Sequence, residues 1–218
     1  ILDYSKIESG KLALHEVPFD LRCLLEELVE LYAENAHERG VELNAVVPVD
    51  TPTRLVGDDS RLRQVLTNLV GNALKFTHQG EVVVAVRVDH VGQGDDVTLR
   101  FDVRDTGIGI APAAREHIFE AFTQADGSTQ RRYGGTGLGL AISSQLVRCM
   151  GGAIELESEI DRGSTFSFTV VMRRDTADYP EDETSDALRG MRVLAVDDNE
   201  TNRVIYHDQL EHWGCAFE

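Results

Sequence analysis

The stretch that decides the fold is residues 132–140, which read RYGGTGLGL. Four of its nine residues are glycines: Gly134, Gly135, Gly137 and Gly139. Glycine allows backbone conformations closed to other residues and leaves no Cβ to keep a ligand away. Apolar residues at helical spacing follow over 138–150. A glycine loop that opens a helix presents free N–H groups and the positive end of the helix dipole, so the stretch predicts an anion site.

This glycine cluster taken alone leaves a flexible turn as an open alternative. It is not a dinucleotide-binding fingerprint, because no strand leads directly into it, and it is not a P-loop, because no Lys-Ser or Lys-Thr follows the last glycine. The choice between a turn and a ligand site therefore depends on the chain upstream.

The helix predicted upstream, over residues 58–76, carries a narrow polar stripe beside its apolar one. Asn68, Asn72 and Lys75 form this stripe, spaced four and then three residues apart. Asparagine is a poor helix former, because its side chain competes for backbone hydrogen bonds. Two asparagines stacked on one face indicate a function, and an ordinary solvated face is the alternative.

The strand predicted over 97–103 leads into a carboxylate on its buried face. Every second residue from Val97 is apolar, and Asp105 is the next residue in phase. A carboxylate there costs free energy unless a partner satisfies it, and no cation neighbours it on that face. Gly107 and Gly109 follow and would let a flat ligand lie against the backbone. A simple turn is the alternative.

The charge balance bounds the function class. The chain has 218 residues, with 21 Lys and Arg against 38 Asp and Glu, for a formal net charge of −17. This excess argues against non-specific binding to nucleic acid or to an anionic membrane, so we expect neither. The 3 cysteines show no metal spacing and suit a reducing compartment. No run approaches the roughly 20 apolar residues of a membrane span.

An anionic ligand in so acidic a chain needs local cations. Arg131 and Arg132 lie in the polar segment 123–133, which we predict to be a mobile lid. We predict further helices over 21–39, 111–122, 138–150 and 199–212. We predict further strands over 41–47, 82–88, 153–158, 164–172 and 191–196.

Together these pieces suit a nucleoside triphosphate bound with Mg²⁺. An amide oxygen is a hard ligand for Mg²⁺. Lysine, arginine and helix N–H groups neutralise phosphates. A buried carboxylate can accept a hydrogen bond from the amino group of adenine, the partner that Asp105 otherwise lacks.

The same pieces in this order resemble the catalytic ATP-binding domain of sensor histidine kinases, over about residues 18–172. The resemblance implies an α/β sandwich, in which helices pack on one face of a mixed sheet and an ATP lid covers the site. The family's N box, first glycine box, F box, second glycine box and last glycine box are similar to residues 63–77 (RQVLTNLVGNALKFT), 105–110 (DTGIGI), 118–122 (IFEAF), 134–140 (GGTGLGL) and 163–166 (GSTF).

The resemblance implies a catalytic set on the predicted helix. Asn72 would coordinate Mg²⁺, and Asn68 would support the metal and the phosphates. Lys75 and Arg132 would contact phosphates. Gyrase-type ATPases carry at the position of Asn68 a glutamate that activates water, whereas an amide cannot act as a base near neutral pH.

The resemblance also implies the rest of the ATP pocket. Asp105 would bind the amino group of adenine, with Gly109 and Thr165 lining the base pocket. Backbone N–H groups of the second glycine box would hold the phosphates. The remaining residues implied to bind ATP are Gly107, Phe122, Gly135, Thr136, Gly137, Leu138 and Gly139.

The reaction implied is transfer of the γ-phosphate of ATP to a protein histidine. Two alternatives stay open: a regulatory module on the same fold that binds another ligand or a partner, and a slow gyrase-type ATPase. The expected partners are the dimerisation and phosphoacceptor histidine domain, and a receiver domain or response regulator.

The resemblance divides the chain into four parts. Residues 1–11 resemble the end of the dimerisation hairpin, 12–173 the catalytic domain, 174–189 an acidic linker and 190–218 a truncated receiver domain. We expect a mainly monomeric, cytoplasmic piece of a longer, membrane-anchored hybrid kinase, with the phosphoacceptor histidine outside this chain. The receiver piece, at about 29 residues, is too short to bury a core, and we expect no metal at its Asp197-Asp198 pair.

Overall fold

The computed structural model describes residues 12–121, 137–177 and 188–218. Its strands are β1 (Val17–Asp20), β2 (Val41–Val46), β3 (Arg54–Gly57), β4 (Gly80–Val91), β5 (Asp96–Asp105), β6 (Ile154–Glu159), β7 (Gly163–Arg174), β8 (Arg192–Val193) and β9 (Ala216–Phe217). Its helices are α1 (Leu21–Arg39), α2 (Asp59–Phe76), α3 (Pro112–Arg115), α4 (Gly139–Cys149) and α5 (Glu200–His212).

The first seven strands form one mixed sheet in the order β1-β3-β7-β5-β4-β2. β2 and β4 run parallel, and the other neighbours are antiparallel. The sixth strand, β6, pairs with the first half of β7. β3 pairs with the last residues of β7, on the same side of that strand. β8 and β9 form a separate two-stranded parallel sheet.

The core lies between one face of the main sheet and the helices α1, α2 and α4. Alternate residues of β4, β5 and β7 turn inward, and Phe101 stacks on Phe168 with ring centroids 4.9 Å apart. The opposite face is polar and carries ion pairs such as Arg100–Asp102 at 3.1 Å. The fold is therefore the α/β sandwich with helices on one face that the sequence predicts.

Local signals set the ends of the two long helices. Asp20 caps α1 by accepting from the N–H groups of Arg22 (2.8 Å) and Cys23 (3.2 Å). Gly40 ends the helix in the left-handed conformation, with φ of 65°. Asp58 caps α2 by accepting from the N–H of Arg61 at 3.0 Å. These bounds confirm the predicted helices to within a residue.

The predicted helix over 111–122 is wrong for the part that the structure describes. Only Pro112–Arg115 is helical, and turns follow to Ala121. The N–H groups of Ala114, His117 and Glu120 each donate to the carbonyl three residues earlier. These tight turns replace an α-helix, because only Ile118 of the stretch is buried in the core.

Other segments differ from the prediction in smaller ways. β1 and β3, which pair with each other at the sheet edge, are strands that the sequence pattern does not predict. The strand predicted over 191–196 is only Arg192–Val193, which pairs with the unpredicted β9. The predicted lid, the hairpin end over 1–11 and most of the acidic linker lie outside the described residues.

Candidate nucleotide site

The polar stripe on α2 exists as predicted. Asn68, Asn72 and Lys75 are all partly exposed on this helix. The two asparagines line a groove of about 590 Å³ between α1 and α2, and Tyr32 forms part of its α1 side. Lys75 places its Nζ 5.0 Å from the ring centroid of Phe76. The geometry therefore presents two amides and one ammonium group along one side of the helix.

Asn68 connects α2 to the glycine-loop helix α4. Its Nδ2 donates to Oγ of Ser143 at 2.9 Å. Its Oδ1 packs against Gly139, where an added Cβ would overlap it. Ser143 is only 1% exposed and Asn68 is partly exposed, so this hydrogen bond is partly shielded from water. Asn68 is thus held in one orientation by two residues of α4, a contact that sequence reasoning did not predict.

Asp105 lies on the buried face at the end of β5, as its phase predicts, and is 6% exposed. Its Oδ1 accepts from the N–H of Gly107 at 2.9 Å, and hydrogen bonding with the paired Ser164 also favours the charged carboxylate. Burial raises the pKa of this carboxyl above its ordinary 3.8, against the effect of these hydrogen bonds.

The Asp105 carboxylate keeps the capacity to bind a further donor. A carboxylate offers about four acceptor sites, more than the hydrogen bonding with Gly107 and Ser164 uses. No salt bridge joins Asp105 to a cation among the residues that the structure describes. A neutral donor such as the amino group of adenine fits this environment.

The first glycine box packs so tightly that side chains are excluded. A Cβ at Gly107 would overlap the carbonyl of Phe76, the last residue of α2. Gly109 has φ of 67°, and a Cβ there would overlap the carbonyl of Glu159. These contacts hold the loop after β5 between the end of α2 and the turn from β6 to β7. Asp105 and the polar stripe are thereby fixed in one rigid frame.

The structure does not bring Thr165 to this pocket, which corrects the expectation for that residue. Thr165 pairs with Arg104 and lies with it along the polar face of the sheet. Ser164 is instead the residue paired with Asp105. Successive residues of a strand face opposite sides, so the two cannot both reach Asp105. The phase of Ser164 with the buried Phe166 is the signal that could have identified it.

Four residues of the second glycine box, 137–140, are described. Gly137 has φ of 67°, and Leu138 is buried at the start of α4, where none of the described side chains caps the helix. The first N–H groups of α4 have no intrahelical partner, so among the described residues they are suited to a phosphate. The remaining expected ligands lie outside the described residues: Phe122, Arg132, Gly135 and Thr136.

The donors on α2 suit a metal that phosphates hold in large part. Within residues 12–121, 137–177 and 188–218, no three His, Cys, Asp or Glu side chains gather as a metal site. Mg²⁺ is commonly bound by only one or two protein oxygens together with substrate phosphates and water. The amide oxygen of Asn72, which lies partly exposed in the groove on α2, fits that donor set. In the same described ranges, none of the helices has the length and apolar character needed to span a bilayer.

A known family and several known proteins are similar to this chain in sequence. The model of the family described as "Histidine kinase-, DNA gyrase B-, and HSP90-like ATPase" matches residues 57–174. The sensor histidine kinase GacS of Pseudomonas protegens is 44% identical over 98% of this chain and 23% of its own length. The signal transduction histidine-protein kinase BarA of Escherichia coli K12 is 43% identical over 91% of this chain and 22% of its own. The chain thus spans less than a quarter of these relatives.

Solved structures agree with the sequence relatives. Full-length ShkA in complex with AMPPNP superposes with a TM-score of 0.78 and 36% identity, over 99% of this chain and 43% of that one. The catalytic domain of histidine kinase ThkA gives a TM-score of 0.59 and 26% identity, over 74% of this chain and 99% of that one. The family model matches more than half of this chain. The chain therefore belongs to the histidine kinase-, DNA gyrase B- and HSP90-like ATPase family.

Proposed function

We propose that residues 12–173 are the catalytic domain of a hybrid sensor histidine kinase. This domain binds Mg²⁺-ATP and transfers the γ-phosphate to a histidine on a dimerisation domain. The similarity to GacS and BarA and the arrangement of Asp105 and the α2 stripe support the proposal. A receiver domain or response regulator is the proposed acceptor in the next step of the relay.

Each group in the site has a task in this reaction. Asp105 accepts a hydrogen bond from the amino group of adenine and so selects the base. Asn72 holds Mg²⁺, which when bound neutralises phosphate charge. Lys75 and the N–H groups at the start of α4 hold the phosphate oxygens in line for attack. Asn68 is a positioning residue, since Ser143 and Gly139 fix its amide beside the phosphate-binding helix end.

The observation that favours a kinase over an ATPase is the identity and packing of residue 68. An amide has no basic group for activating water near neutral pH, and this amide is already bonded to Ser143. ATP bound here is therefore spared hydrolysis. The nucleophile has to come from the histidine domain, which also supplies its own activation.

The test supplies the phosphoacceptor hairpin as a separate protein together with Mg²⁺ and γ-labelled ATP. We expect acid-labile label on the hairpin histidine, none on a hairpin with that histidine replaced by alanine, and slow release of free phosphate without a hairpin. Asn72→Ala should abolish the labelling. Rapid hydrolysis by the chain alone, or binding of AMPPNP without any transfer to the hairpin, would contradict the kinase assignment.

A further inference from the structure

Outside the α2 stripe, residues at the start of α5 contact the polar face of the main sheet at β2 and β4. Oγ1 of Thr201 donates to Oε2 of Glu81 at 2.9 Å. Nδ2 of Asn199 donates to the same oxygen at 3.3 Å and also to the carboxylate of Glu42. We call this set of four residues the polar latch.

The polar latch stabilises two like charges that the sheet places side by side. Glu42 and Glu81 are direct neighbours in the parallel register of β2 and β4. Adjacent carboxylates on one sheet face repel each other. Arg104 binds the other oxygen of Glu81 at 3.0 Å, and the donors of Asn199 and Thr201 satisfy the remaining acceptors. The side chain of Glu81 is consequently only 15% exposed.

Glu81 also holds the loop that carries the base-binding carboxylate. Its N–H donates to Oγ1 of Thr106 at 3.0 Å, and its carbonyl accepts from the N–H of Thr106 at 3.2 Å. Oγ1 of Thr106 fills the space where Gly80 lacks a Cβ. Thr106 stands between Asp105 and Gly107, whose N–H binds the Asp105 carboxylate. Thr106 thus connects the polar latch to the adenine pocket.

We propose that the segment 188–218 docks on the polar face of β2 and β4 through the polar latch and that this docking strengthens nucleotide binding. Docking fixes Glu81 and Thr106, and through them it holds Asp105 and Gly107 ready for the base before the ligand arrives. The inference rests on the proposed function, because it concerns the regulation of the same nucleotide site. Linkage requires the reverse effect as well: bound nucleotide must strengthen docking by the same factor.

Two substitutions in the segment break the polar latch without touching the nucleotide site. Thr201→Val removes the hydroxyl donor and keeps the β-branched shape. Asn199→Asp keeps the helix cap, since Asn199 Oδ1 accepts from the N–H groups of Thr201 and Asn202. It replaces the amide donor by a carboxylate facing Glu42 and Glu81. Val204→Thr is the matched control, because Val204 is on the same helix and is 51% exposed.

The test measures the Kd for AMPPNP with Mg²⁺ and the amide hydrogen exchange of α5, using the whole 218-residue chain. We expect both latch variants to raise Kd by at least about fivefold and the control to change it less than twofold. In the wild-type chain, saturating AMPPNP should slow exchange in α5 by the same factor, and the latch variants should lose this effect.

Two results would overturn the inference, and a third separates it from the proposed function. An unchanged Kd in both latch variants, with faster exchange in α5, shows a contact that does not reach the nucleotide site. Full exchange of α5 in the wild-type chain at the earliest time shows that the segment does not dock. A wild-type chain that binds no AMPPNP contradicts the proposed function itself, and the coupling falls with it.

Discussion

Asp105 shows how much a single residue's chemistry can be predicted from its position. The alternation of β5 predicts a carboxylate on the buried face, and the structure confirms it at 6% exposed. Local sequence patterns could not predict the pairing with Ser164, because Ser164 lies on another strand, 59 residues (164 − 105) further along the chain. The family resemblance implies Thr165 instead, but the phase of Thr165 on β7 places it on the opposite face.

Because Asp105 is buried, we predict that nucleotide affinity falls at acid pH. Because burial raises its pKa above 3.8, the carboxyl keeps its proton to a higher pH than an exposed aspartate does. The protonated form loses an acceptor, so affinity is full above the raised pKa and falls as the pH drops through it. Titrations of AMPPNP across the acid range should show this decline. The residual binding of Asp105→Asn should lack that limb, and an identical decline in both proteins would contradict the assignment.

The raised pKa of Asp105 acts in the opposite direction on the stability of the ligand-free chain. Because the folded-state pKa lies above the unfolded value, the protonated carboxyl favours the fold. That contribution is present below the unfolded pKa and is lost as the pH rises through the folded-state pKa. Nucleotide affinity, by contrast, falls at acid pH. AMPPNP should consequently stabilise the chain more at neutral pH than at acid pH, which thermal unfolding with and without AMPPNP measures.

Ser143 offers a second prediction at the scale of one residue. Ser143→Ala removes the partner of Asn68 Nδ2 in a buried setting and should lower the free energy of unfolding by about 1–3 kcal/mol. Phosphotransfer to a supplied hairpin should fall further than affinity for AMPPNP, because the role proposed for Asn68 is to position the phosphates rather than the base. Ser144→Ala, one residue along the same helix, is the control. Equal losses in both variants would show a purely structural role for Ser143.

At the scale of elements, strong periodic patterns were predicted well and short edge segments were not. The helix α2 and the strands β4, β5 and β7 follow from apolar spacing and caps, because their inward faces are continuous. β1 and β3 have four residues each and lie at the sheet edge, so their pairing has no alternating pattern long enough to detect. The helix predicted over 111–122 failed because one buried residue, Ile118, cannot stabilise three turns.

The cap of α2 gives a prediction at this scale. Asp58 is 6% exposed and accepts from the N–H groups of Arg61 at 3.0 Å and His15 at 2.8 Å. Asp58→Ala leaves both donors unpaired and should lower the free energy of unfolding by about 1–3 kcal/mol in chemical denaturation. Asp59→Ala removes a neighbouring charge without losing the cap and should cost less than about 0.5 kcal/mol. Equal effects would contradict the capping role.

At the scale of the whole molecule, the order of motifs predicted the architecture, and long-range polar contacts escaped prediction. The family match over residues 57–174 covers the sheet strands and helices that build the nucleotide site. The polar latch joins residues from three distant parts of the chain, Glu42, Glu81 and Asn199 among them. No local period encodes such a contact, because each partner on its own resembles an ordinary exposed polar residue.

The central claim is that Asp105 and Asn72 form one Mg²⁺-dependent ATP site, and calorimetric titration with AMPPNP tests it most directly. Wild type, Asp105→Asn and Asn72→Ala are each titrated with Mg²⁺ and with EDTA. We predict that Mg²⁺ tightens binding to the wild type, that Asp105→Asn weakens binding at least about tenfold in both conditions, and that Asn72→Ala binds equally with and without Mg²⁺. Folded Asp105→Asn protein that binds AMPPNP like the wild type, or Asn72→Ala protein that keeps the full Mg²⁺ effect, would contradict the account.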